Sequence, residues 1–232
     1  LEHRRQRQMC IRDRPTSVPI VYNTYIAAYS GDGNVLASVD GAQGSTTEII
    51  INRYDGTSWS EQTQRLTDQS GKSYGGNFAR NIKLNEDGSK ILVASYTSSA
   101  LCGLYIYDTV TASLLIEIDC SNTINIQSYG GYYVGCDFSA DSSTVTTGNG
   151  SNSISTARVY TWDIDYVNST ATQSEIVVVA PTGTSGTERP GRNISINHNG
   201  TVLVYVSGTG NDNMRVEVQR RASKSDPWAL EK

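Results

Sequence analysis

The chain has 232 residues, of which 37% are hydrophobic and 18% charged, with a formal net charge of −4. Between residues 15 and 219 there are ten basic against nineteen acidic side chains. An acidic body without a basic stripe repels phosphate backbones, which excludes nucleic acid as a partner. No run approaches the roughly 18 apolar residues that a membrane-spanning helix needs, so the sequence holds no transmembrane segment.

Residues 1–14 stand apart from the rest. They carry five Arg and no apolar periodicity, and the string Gln8-Met9-Cys10-Ile11-Arg12-Asp13-Arg14 resembles the translation of a transposon mosaic-end adapter used in sequencing libraries. The segment is expected to be a non-native leader outside the fold, the alternative being a basic arm.

From residue 20 onward one pattern recurs. A strand-like run at 26–29 meets the turn Asp32-Gly33 and returns as 35–39, followed by runs at 49–54 and 61–66. The second unit repeats this with 81–84, Asp87-Gly88, 91–95, 104–107 and 114–119. In the third the runs are 134–138, 145–147, 157–162 and 175–180 around Asp141-Ser142, and in the fourth 193–196, 202–206 and 214–219 around Asn199-Gly200.

These turns lie 55, 54 and 58 residues apart. Asp-Gly and Asn-Gly reverse a chain cheaply, because Gly tolerates positive φ and the Asp or Asn side chain satisfies local amides. The identical tetrads Ser73-Tyr74-Gly75-Gly76 and Ser128-Tyr129-Gly130-Gly131 keep the same beat. A period of this length predicts a repeat protein whose units cannot bury their apolar faces alone.

Four short antiparallel strands per unit is the composition of a propeller blade. The predicted fold is therefore all-β, a partial β-propeller of about 3.5 blades, with repeats at about 20–72, 73–127, 128–185 and 186–219. Segment 220–232 is expected to be a disordered or truncated tail. Closure as a four-bladed ring would require residues 15–22 to lend an outer strand. The core is expected between sheets, from Ile82, Leu84, Ile91, Val93, Val145, Ile194, Ile196 and Val204.

Two family likenesses rest on these residues. The run 105–115, from Tyr105-Ile106-Tyr107-Asp108 to Leu114-Leu115, with Phe138-Ser139-Ala140-Asp141, resembles WD-repeat and YVTN-type propellers. Asp55-Gly56-Thr57-Ser58-Trp59 with Leu66 and the run 82–88 resembles FG-GAP-like propeller repeats of cell-surface proteins. Both imply the same architecture. Aromatic-Asp pairs close the third run of three units: Tyr54-Asp55, Tyr107-Asp108 and Trp162-Asp163.

Candidate chemistry is sparse. His198 sits beside a turn, a poor place for a base that must be held by a second group, so no catalytic residue is assigned. The cysteines lack a Cys-x-x-Cys pair, and no metal or cofactor is expected. If the turn at 110–112 closes a hairpin, partners sum to about 222, which sets Cys102 opposite Cys120. The expectations there are a cross-strand disulfide or two buried thiols.

Fourteen Tyr against two Phe form the remaining clue. Tyr74, Tyr129, Tyr132 and Tyr133 fall in the predicted connections between units, the rim where propellers display ligand contacts. Tyr suits such surfaces because it joins apolar area to a hydroxyl, although packing between blades is the competing role. The expected function is a non-catalytic binding or scaffold module for a protein or glycan partner, with an extracellular or cell-surface location favoured over the cytoplasm. The alternatives are a piece of a lactonase- or dehydrogenase-like propeller enzyme whose catalytic groups lie in other blades, and a structural segment of a large adhesin or fibre.

Overall fold

The computed structural model describes residues 26–40, 48–71, 78–96, 102–120, 135–148, 157–178, 193–207 and 215–231. Among them the secondary structure is entirely β, in four sheets of four antiparallel strands.

The first sheet joins β1 (Ala27–Tyr29), β2 (Val35–Asp40), β3 (Glu48–Tyr54) and β4 (Trp59–Glu61) in chain order. The second joins β5 (Asn81–Leu84), β6 (Lys90–Tyr96), β7 (Cys102–Asp108) and β8 (Leu114–Asp119). The third comprises β9 (Cys136–Phe138), β10 (Thr144–Gly148), β11 (Ala157–Asp165) and β12 (Thr170–Val178). The fourth comprises β13 (Ile194–Ile196), β14 (Val202–Ser207), β15 (Arg215–Arg220) and β16 (Ala229–Leu230).

Each β1–β2-type hairpin is closed by the same device. The first residue of the turn accepts from the amide five positions on through its side chain: Ser30 from Val35, Asn85 from Lys90, Ser139 from Thr144 and Asn197 from Val202, at 2.8–2.9 Å. The fourth residue is left-handed in every case, with φ of 71° at Gly33, 66° at Gly88, 62° at Ser142 and 71° at Gly200. The turns also bind one another. The Asp32 amide donates to Glu86 O, that of Glu86 to Ala140 O and that of Asp141 to His198 O.

Packing follows from strand alternation, which sends successive side chains to opposite sheet faces. Ile91 and Val93 of β6 meet Val35, Ala37 and Val39 of the first sheet, while Leu92 and Ala94 meet Cys136, Phe138 and Val145 of the third. Val159 of β11 in turn meets Ile194, Ile196, Leu203 and Tyr205 of the fourth. The expected core residues occupy these interfaces with one exception. Val204 is half-buried and points away from the third sheet, because β14 turns Leu203 and Tyr205 toward that neighbour instead.

Three expectations need correction. The segment after residue 219 belongs to the fold: β16 pairs with β15 through Gln219↔Leu230 and Arg220↔Ala229, so the fourth sheet has four strands. A two-residue strand carries no readable periodicity; side chains beside it hold it in place. The outer strand of the first sheet lies at Trp59–Glu61, and the expected run 61–66 contributes an isolated bridge, Ile49↔Leu66.

Nor do the three aromatic-Asp pairs share one position. Tyr107 pairs with Ile91 and Trp162 with Val145, whereas Tyr54 lies two residues beyond the matching place, against Trp59. Turn length is the reason: Asp108 caps its turn through the amides of Val110 and Thr111, while in the longer hairpins Asp55 and Asp165 do so.

Candidate functional site

The first strands of successive sheets, β1, β5, β9 and β13, lie side by side in chain order. The residue four positions ahead of each turn Asp or Asn falls at one level of this inner wall: Ala28, Lys83, Asp137 and Ser195. Asp137 joins three sheets there. It accepts from the Ser195 hydroxyl at 3.0 Å and the Ile196 amide at 2.9 Å on β13, and its other oxygen lies 3.9 Å from the Lys83 ammonium on β5.

Beside this row opens a cavity of about 410 Å³. Lys83, Asn193 and Ser195 are among its polar lining residues, and Ile194, Val204 and Tyr205 among the apolar and aromatic ones. Val204 and Val206 alternate with the buried Tyr205 along β14, which places them on the sheet face turned away from the third sheet. Tyr205, which also borders the cavity, has its hydroxyl engaged: it donates to Glu217 at 2.7 Å and accepts from Gln219 at 3.2 Å.

At the opposite end of the sheets the turns carry a group of aspartates whose carboxyls are held below their ordinary range. For Asp55 the strongest cause is the Ser58 amide, for Asp165 the Asn168 side chain and for Asp87 the Ser89 hydroxyl. In Asp32, Asp108 and Asp141 partial burial pushes upward but is outweighed by hydrogen bonds from the turn. These bonds fix backbone shape. His198 is exposed in the fourth turn, where its carbonyl accepts from Asp141.

The residues chosen from sequence are placed unevenly. Tyr74, Tyr129, Tyr132 and Tyr133 lie outside the described residues. The pairing sum of 222 holds along β7 and β8 from Gly103↔Asp119 to Ile106↔Ile116 before a bulge shifts it, so Cys102 and Cys120 stand one step beyond the last pair. The Cys120 side chain is buried, its Sγ 3.5 Å from Ile118 O. Lys83, Asp137 and Ser195 were missed, although their signal was available: each lies four residues before a turn already phased from the sequence.

No family model matches the chain, and no curated protein matches it. Solved structures do. The chain is similar to hydrazine synthase of Kuenenia stuttgartiensis, with a TM-score of 0.57 and 13% identity over 95% of this chain and 57% of that one. It is also similar to the β-propeller domain of the Trilobed protease from Pyrococcus furiosus, with a TM-score of 0.50 and 12% identity over 90% and 57%. The fold is a β-propeller. A putative 6-phosphogluconolactonase from Bacteroides fragilis aligns with a TM-score of 0.55 at 15% identity, over 90% of this chain and 53% of that one. The chain thus spans a little over half the length of these three structures, and identities this low speak for architecture alone.

Proposed function

We propose that this propeller module is a non-catalytic recognition domain that binds a protein or glycan partner at the inner-wall cavity, in an extracellular or cell-surface setting. One observation carries the reading. The Asp137 carboxylate draws β13 to β9 through Ser195 and Ile196 and faces Lys83 of β5, so the concave surface is assembled from three blades before any ligand arrives. Preorganised concave sites with an apolar body and a few convergent polar groups are the usual form of a binding pocket, and a surface held by such supporting bonds loses less freedom on binding.

The test is a labelled preparation of the chain applied to glycan and peptide arrays, alongside Lys83→Glu. Saturable binding to one class, lost in the variant, is expected. Turnover of a sugar lactone by the unaltered chain, abolished by the same substitution, would instead support the lactonase-like alternative suggested by the putative 6-phosphogluconolactonase likeness.

A further inference from the structure

Four Asn-x-Ser/Thr triplets, the acceptor pattern for N-linked glycans, occur in the chain, at Asn149, Asn168, Asn193 and Asn199. Asn149 lies outside the described residues, and the other three differ in surroundings. Asn193 borders the inner-wall cavity, and the hydroxyl of its triplet, on Ser195, is bonded to Asp137 at 3.0 Å. Asn199 belongs to the fourth turn, where its Oδ1 accepts from Asn197 at 2.8 Å and from its own triplet hydroxyl, Thr201 Oγ1, at 2.6 Å. That turn abuts the third blade, since the Asp141 amide donates to His198 O.

Asn168 stands elsewhere, at the tip of the β11–β12 hairpin, beyond the last ladder pair Asp165↔Thr170. Val167, Asn168, Ser169 and Thr170 are all exposed, Val167 at 93%. No chain end causes this exposure, because the third blade has a neighbour on each face. The tip is nonetheless well shaped. Asp165 accepts from the Val167 and Asn168 amides at 2.9 and 3.1 Å and from Asn168 Nδ2 at 2.7 Å, and Ser169 is left-handed with a φ of 52°. Tyr166 anchors it inward: its hydroxyl donates to Ser142 O at 2.8 Å, and the Lys90 ammonium lies 5.2 Å from its ring.

We infer that Asn168 accepts an N-linked glycan, transferred from an oligosaccharide carried on a polyprenyl pyrophosphate. The bond from sugar C1 to Nδ2 forms as the C1–O bond to the pyrophosphate breaks; the carboxamide gives up one proton and the lipid pyrophosphate leaves. The inference rests on the extracellular or cell-surface setting of the recognition reading and adds a modification to it. A bulky, solubilising group belongs on the surface. At this tip it projects past the end of the ladder, at the end of the sheets opposite the inner-wall cavity, so neither blade stacking nor the binding surface is obstructed.

The experiment secretes the whole chain from a glycosylating eukaryotic host behind a cleavable leader. The purified chain is treated with a glycan-removing amidase in heavy-oxygen water, which converts each occupied Asn to a labelled aspartate, and peptide mapping reads the label. Label at Asn168 is expected, with loss of the corresponding gel shift in Asn168→Gln and in Thr170→Ala and its retention in Thr170→Ser. An unlabelled Asn168 in the secreted chain overturns the inference, whether or not another triplet is occupied. Should a variant fail to fold, the map of the unaltered chain still decides. Array binding by a chain bare at Asn168 would remove only the glycan; a glycan at Asn168 without array binding would remove only the recognition reading.

Discussion

Arg221 and Asp163 form a two-pronged ion pair between the third and fourth blades, each terminal guanidinium nitrogen 2.6 Å from one carboxylate oxygen. The Arg221 side chain is fully buried. It also donates to Gly200 O at 2.9 Å and contacts Thr144 Oγ1 at 3.2 Å, and the Trp228 ring lies over it, 4.6 Å away. The Trp228 indole in turn donates to Thr161 on β11 at 3.0 Å. Five donors in a planar fork suit Arg to this place, which Lys could not fill.

Asp163→Asn should therefore be costly, because it leaves a buried guanidinium without its counter-charge. The expected loss is about 3–5 kcal/mol, read from urea denaturation midpoints. Arg221→Met, which removes the charge and keeps much of the apolar stem, should cost less. An Asp163→Asn chain as stable as the parent would show that the pair does not hold the fourth blade.

The turn glycines divide by their surroundings. A Cβ on Gly88 would fall 2.3 Å from Val35 Cγ2 of the preceding blade, whereas one on Gly56 meets nothing within 4 Å; both have positive φ, of 66° and 100°. Gly56→Ala should cost only backbone strain, about 1 kcal/mol, and Gly88→Ala about 1–3 kcal/mol more, because blade contact is also displaced. Thermal melts of the two variants should rank in that order; equal melts would place the Gly88 turn away from Val35 in solution.

Six turn aspartates, Asp32, Asp55, Asp87, Asp108, Asp141 and Asp165, have carboxyls held below the ordinary value of 3.8. A depressed folded pKa means that the unfolded chain binds protons first as pH falls. Their contribution is complete above about pH 4–5 and disappears as pH drops through the folded values. Urea midpoints should be level from pH 7 to 5 and fall steeply toward pH 3, with a shallower fall in Asp87→Asn. A midpoint unchanged at pH 3 contradicts this account.

The β7–β8 register leads us to propose a disulfide between Cys102 and Cys120 when the chain matures under oxidising conditions, with a small-molecule disulfide such as oxidised glutathione as the acceptor of the two electrons. Extended by one step past Gly103↔Asp119, the register would set the two cysteines opposite each other, and opposed residues of an antiparallel ladder lie within the spacing that a disulfide spans. Alkylation of denatured, unreduced protein followed by peptide mass mapping should find the two cysteines joined. Alkylation of both as thiols would overturn the disulfide.

The repeat, the three inner strands of each blade and the cross-strand sum of 222 are legible from residues alone, because local chemistry governs them. A left-handed turn needs Gly or a tolerant residue, and a half-buried strand alternates with period two. Even Ser142, in the place taken by Gly in the other three turns, keeps the phase. What stayed hidden depends on neighbours 50 or more residues away. The aromatic-Asp pairs look alike in sequence, yet Asp163 reaches across to Arg221 while Asp108 caps its own turn.

The residues after 220 show no periodicity, yet Arg221 and Trp228 fasten this segment to the third blade. Lys83, Asp137 and Ser195 are ordinary strand residues until blade stacking brings them to one level. Chain chemistry by itself determined how each blade is built, since turns and pleats involve near neighbours. The stacking of one blade on the next decided which polar residues meet, because a long-range contact is specified by a surface that no single stretch of sequence contains.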